Sequence, residues 1–140
     1  MESTIHPNFL TAEQCISLLP GSFANIKKKA GRKPIYTSNM GNLYFRGSKD
    51  FGYPHKTWWY SIDPKVVSDE RIAYIVLAAD TKGIFLIPVD IFFAYRNRHP
   101  VGAVKGGRED FTIRAENNRY IRREAKCEDE DITQYFIGKK

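Results

Sequence analysis

The residues of this chain best suited to chemistry are cations set among glycines and aromatics. The segment RNRHPVGAVKGGR, Arg96 to Arg108, holds Arg96, Arg98, His99, Lys105 and Arg108 beside Gly102, Gly106 and Gly107, with no acid among them. Glycine lets backbone amides approach an anion and unopposed cations hold phosphate, so this loop reads as a phosphate contact. It is no Walker loop, because GxxxxGK[ST] is absent. A second set comes from SKDFGYPHK, Ser48 to Lys56, and the strand before it: Arg46, Lys49, His55 and Lys56, delivered next to Trp58 and Trp59. Arg46, Lys49, Lys56, Arg96, Arg98, Lys105 and Arg108 are the candidates for holding phosphates, and His55, Trp58 and His99 for base contact or stacking. Trp58 and Trp59 are neighbours on a strand and point to opposite faces, so one belongs to the core and the other is free to be exposed.

The charge distribution agrees. Of the 140 residues, positions 1–50 carry seven Lys/Arg against three acids, and positions 96–126 carry nine against four. The central run 51–95 has four against five, so the formal net charge of +6 belongs to the segments flanking it. Two such flanks can fold into one basic face suited to a polyanion. Other chemistries have little support. His6, His55 and His99 stand far apart with no zinc spacing, and no GxSxG or Cys/His pairing is present. Cys15 and Cys127 form no CxxC, as expected of reduced thiols in a cytoplasmic protein. No secretory signal is read at the N-terminus, and no apolar run reaches the length of a membrane span.

These groups must be positioned by the run from Thr57 to Tyr95. Trp58 to Ile62 reads as an aromatic strand stopped by Asp63-Pro64, with Asp63 as N-cap and Pro64 at the first position of a short helix to Glu70. Ile72 to Ala79 is apolar on both faces, so it should be a central strand. Asp80 to Gly83 turns the chain into the paired strand Gly83 to Ile87, and a helix leaves the sheet after Pro88. Upstream, Thr11 to Gln14 is a capping box for a helix from Ala12 to about Leu19, and a second helix is expected from Ser22 to near Gly31. Pro34 to Ser38 and Asn42 to Ser48 are expected as a hairpin. Downstream, Phe111 to Arg114 and Asn118 to Glu124 form another around Glu116 to Asn118, and Asp129 to Ile137 reads as an acid-started helix. The fold class is α+β: one domain over 1–140, with N-terminal helices in 1–31 and a sheet-based core in 34–137. The sheet is mixed, mostly antiparallel, of about six strands with flanking short helices.

The order of strand, loop, aromatic strand, short helix, apolar strand, turn, strand ending in Ile87-Pro88 and helix resembles the second half of restriction-endonuclease-like PD-(D/E)XK domains. Tyr44 to Lys49 would be their motif strand, Trp58 to Ile62 the aromatic strand and Ala73 to Pro88 the closing unit. The chain also resembles small uncharacterised domains of restriction-modification-type proteins in FRGS (Phe45 to Ser48), WWY (Trp58 to Tyr60) and DITQYFI (Asp131 to Ile137). The PD-(D/E)XK resemblance implies a magnesium-dependent nuclease, which needs two carboxylates and usually a lysine around a divalent ion. This chain departs there: no acid lies between Glu13 and Asp50, and the motif strand carries arginine and serine. Asp90, Glu124 and Lys126 are the remaining substitute, although Asp90 also suits a helix cap and Glu124 a salt bridge with its arginine neighbours.

Three functions follow as expectations. The first is a non-catalytic DNA-binding domain, the recognition module or a degenerate nuclease-like component of a restriction or mobile-element system, with no cofactor. The second is a nuclease using Asp90, Glu124 and Lys126 with Mg. The third is an accessory subunit that binds a protein partner or pairs as a homodimer, its charge serving only solubility; arginine at protein interfaces leaves this reading open.

Overall fold

The computed structural model describes residues 9–52, 56–98, 109–123 and 128–139, the side chains of 95–98 and 109 excepted. Its elements in chain order are α1 (Ala12–Ile16), β1 (Lys27–Lys28), β2 (Ile35–Thr37), β3 (Asn42–Ser48), β4 (Thr57–Ile62), α2 (Pro64–Asp69), β5 (Ile72–Ala79), β6 (Gly83–Pro88), α3 (Val89–Arg98), β7 (Glu109–Glu116), β8 (Arg119–Arg123), β9 (Glu130–Asp131), a 3-10 turn (Thr133–Tyr135) and β10 (Phe136–Gly138). The fold is α+β. Six strands form a mixed sheet in the order β1-β2-β3-β5-β6-β10, parallel only between β3 and β5. The other four form a separate antiparallel sheet, β4-β7-β8-β9.

Strand β5 organises both cores, because Ile75 to Ala79 are buried without a break. Each large aliphatic side chain fully removed from water contributes roughly 1.5–3 kcal/mol, so a strand apolar on both faces draws a layer onto each. On one face Ile75, Leu77 and Ala79 meet Trp58, Tyr60 and Ile62 of β4, Phe111 and Ile113 of β7, and Phe92 of α3. On the other, Val76 and Ala78 join Leu43, Phe45 and Ile84 beneath Leu10, Cys15 and the half-buried Phe23 and Ile26.

The second sheet exists because β3 and β5 are parallel neighbours. A parallel pair needs a crossover, here residues 49–71, and β4 inside it cannot lie between the strands it connects. Its alternation resolves where it goes: Trp58, Tyr60 and Ile62 are buried while Trp59 is exposed, as suits a sheet with one dry and one wet face.

Local chemistry holds the expected elements. Thr11 Oγ1 accepts the Gln14 amide at 3.2 Å while Gln14 Oε1 accepts the Thr11 amide at 2.9 Å, completing the capping box. Asp63 accepts the Lys65 amide at 2.9 Å with Pro64 at the helix start. Gly41, at φ 107, closes the β2–β3 hairpin, and Asn117 and Asn118, at φ 52 and 62, close β7–β8. Asparagine tolerates the left-handed region because its short side chain bonds locally.

Three expectations are corrected. Helix α1 ends at Ile16 rather than Leu19. No second helix forms between Ser22 and Gly31: Asn25 takes φ 55, Lys27 and Lys28 pair with β2, and Lys28 Nζ donates to the carbonyls of Lys29, Gly31 and Lys33 at 2.8–3.0 Å. A helix this short is marginal by itself, and lysines suit an edge strand. The C-terminal segment is likewise not a helix. Asp131 Oδ1 accepts the Thr133 amide at 2.9 Å, which turns the chain, and β10 then pairs with β6 along its edge. Gly83 permits that approach, since a Cβ there would collide with the Ile137 carbonyl.

Candidate nucleic-acid interface

The end of β3 and the start of β4 lie together, tied by polar side chains of Ser48 and Asp50. Asp50 Oδ1 accepts the amides of Gly52 at 2.8 Å and Thr57 at 3.1 Å, and the Phe51 amide donates to the Thr57 carbonyl at 2.8 Å. Ser48 Oγ, almost fully buried, accepts the Trp59 amide at 2.9 Å and donates to the Lys49 carbonyl at 2.7 Å. The edge of β4 therefore meets side chains where a ladder partner would otherwise bond.

Around this clasp stand Arg46, half-exposed on β3, and the exposed Lys49 and Lys56. None of the three has a carboxylate partner among the described residues. Lys49 Nζ sits 4.9 Å from the ring centre of Phe51, a cation–π contact.

Trp58 is corrected as a stacking candidate. It is 0% exposed, its ring packs near Phe85 and Tyr120, and its Nε1 donates to Asp80 Oδ2 at 2.8 Å. Among the described residues the most exposed aromatics are Trp59 and Phe51, each 55% accessible, followed by Phe9 at 41%. The sequence pattern points to Trp59 as the exposed tryptophan, because Thr57 and Ser61 are polar and share its face, whereas Tyr60 and Ile62 share that of Trp58.

Elsewhere seven cations face carboxylates, whereas Lys27, Lys28, Arg32, Arg71, Lys82 and Lys139 have no carboxylate partner among the described residues. Lys29 is bonded to Glu70, with Lys33 at 3.8 Å from the same carboxylate, and the pairing with Lys29 first of all holds the Glu70 carboxyl below its ordinary range. These three residues, with Arg32 and Ile35, line a cavity of about 80 Å³ against the loop 29–33. Arg114 pairs with Glu116 at 2.6 Å, Arg123 with Asp129 at 3.1 Å, and Arg119 with Asp131. Arg122 is buried. Its guanidinium lies 4.0 Å from the Phe92 ring centre and 5.0 Å from that of Phe111, donates to the Phe92 carbonyl at 2.9 Å and stands 3.8 Å from Glu130.

The remaining candidates are placed as follows. Arg96 and Arg98 fall on the last turns of α3, where only the backbone is described. His55, His99, Lys105 and Arg108 lie outside the described residues, as do Glu124 and Lys126. Asp90 is exposed in the first turn of α3, and its Oδ1 accepts the Ile91 amide at 3.0 Å. Among the described residues no three of His, Cys, Asp and Glu gather as metal ligands would. Cys15 is buried, and burial, aided by Glu13, pushes its thiol up to about 12, so it is inert at neutral pH. No helix among the described residues is long and apolar enough to cross a membrane.

Comparison with protein-family models, curated proteins and solved structures finds no match to this chain.

Proposed function

We propose that this chain is a non-catalytic DNA-binding domain, the recognition module or a degenerate nuclease-like component of a restriction or mobile-element system. One observation carries the reading: Arg46, Lys49 and Lys56, which have no carboxylate partner among the described residues, flank the Ser48 and Asp50 contacts that set the exposed Trp59 and Phe51. A matched pair has little field left for a ligand. An unmatched cation gains from phosphate through released counterions.

The half-buried Arg46 and the buried Ser48 on the strand resembling the nuclease motif support the word degenerate. Ser48 is occupied in joining the two sheets, and carboxylates are absent from that strand. Such a domain works in the cytoplasm, where its DNA is.

An electrophoretic shift over a salt series tests the proposal. Binding at low salt should weaken linearly in log–log form, with a slope of about −0.9 for each phosphate contacted in a duplex. An affinity flat in salt, or no shift with either duplex or single strand, overturns it.

A further inference from the structure

One face of the four-stranded sheet is open to solvent among the described residues. Its cross-strand rows are Thr57, Arg114, Ile121 and Asp131, and beside them Trp59, Thr112 and Arg123. Side chains opposite one another on paired strands share a face, so these rows point away from the core that holds Trp58, Ile113 and Arg122. Trp59 stands here half in water, although burial is the ordinary fate of an indole.

Phe51 reaches Trp59 from the loop after β3, their ring centres 6.3 Å apart and their planes at 65°. Phe51 is tethered through its described neighbours. Asp50, Ser48 and the backbone of Thr57 hold the chain on both sides of it, so the two rings are positioned in advance. Lys49 lies over Phe51, and Lys56 directly precedes β4. Arg123, at the far end of the Trp59 row, is paired with Asp129 and brings no unmatched charge.

Exposed aromatics on a stiff sheet next to unmatched cations suit a base whose π-face is available. Inside a duplex each base already stacks on both sides, so such rings have nothing to cover. We infer that Trp59 and Phe51 stack unpaired bases while Lys49, Lys56 and Arg46 hold the adjoining phosphates, so that the ligand is single-stranded DNA. This inference rests on the DNA-binding reading and makes it more specific.

The test uses the full chain with an oligothymidylate and a blunt-ended duplex of equal length. The chain has two tryptophans, and Trp58 is 0% exposed, so quenching of tryptophan emission by oligothymidylate reports Trp59. By anisotropy with a labelled strand, Trp59→Ala should weaken single-strand binding about tenfold, the usual loss for one stacked base, and Trp59→Phe should recover most of it. Circular dichroism of the variants checks that the sheet is intact. Equal affinity of Trp59→Ala and the parent chain for oligothymidylate, or tighter binding of duplex, overturns the stacking inference while leaving DNA binding in place. Failure to bind either nucleic acid at low salt overturns the parent reading and this one together. A dimer that Trp59→Ala disperses, with no oligonucleotide bound, assigns the aromatic face to a second copy of the chain instead.

Discussion

The hydroxyl of Ser48 accepts the backbone amide of Trp59 at 2.9 Å, and this one bond joins the last residue of β3 in the larger sheet to the open edge of β4 in the smaller. Thr57 makes the neighbouring contact through Asp50. Side chains in this way close an edge that would otherwise present bare amides, and they set the exposed Trp59 beside the cations of the loop.

Ser48→Ala should lower stability by about 1–3 kcal/mol, because the Trp59 amide loses its acceptor at a site where Ser48 itself is almost fully buried. Urea unfolding measures it. An unchanged midpoint would mean that water replaces the hydroxyl and that the clasp is dispensable.

Arg122 separates packing from charge. Its guanidinium lies against both Phe92 and Phe111, whose rings touch each other with centres 5.2 Å apart, and its neighbours include Glu130 and the Phe92 carbonyl. Arg122→Ala should cost about 3 kcal/mol or more, from a cavity together with polar partners left behind. Arg122→Met, which refills the space beside the rings, should recover a large part. Equal losses for the two variants would show that the rings gain nothing from an apolar neighbour at this position.

Acid should loosen the turn after β9. The Thr133 hydroxyl and amide, and then Arg119, hold the Asp131 carboxyl down at about 2 from an ordinary 3.8. A carboxyl whose folded value is depressed favours the fold while ionised. Its contribution is therefore complete above pH 3.8 and disappears as the pH falls through about 2. Melting temperatures across this window should fall less steeply for Asp131→Asn than for the parent chain. Parallel profiles would clear Asp131 of the effect.

If the unmatched cations contact phosphate, each of Arg46→Ala, Lys49→Ala and Lys56→Ala should reduce the slope of log affinity against log salt by about 1. Arg119→Ala serves as the comparison, because its guanidinium already faces Asp131. A drop of equal size in that variant would reduce the proposal to overall charge.

Much of the fold was legible in the residues. The Thr11 capping box, Asp63-Pro64, the unbroken apolar run of β5 and the Asn117-Asn118 turn all act within a few residues of themselves, and each formed where its chemistry pointed. The segments misread as helices carry the same apolar residues but end as strands. Phe136 and Ile137 find the free edge of β6, and Lys27 and Lys28 that of β2. An edge supplied from elsewhere in the chain leaves no mark in the local pattern.

The candidate site divides in the same way. Composition alone determined that cations gather on both sides of an apolar centre and that the strand from Tyr44 to Ser48 has no carboxylate. Adjacency alone determined that Trp58 and Trp59 take opposite faces. The polar Thr57 and Ser61 beside Trp59 pointed to Trp58 as the buried one, and tertiary structure supplied what buries it, the packing of the second sheet onto β5. It likewise decided which cations remain unmatched, since Lys29 meets Glu70 and Arg119 meets Asp131 across distances along the chain that no local pattern records. Charge and alternation are properties of neighbours in sequence, whereas burial and pairing depend on groups that folding brings together.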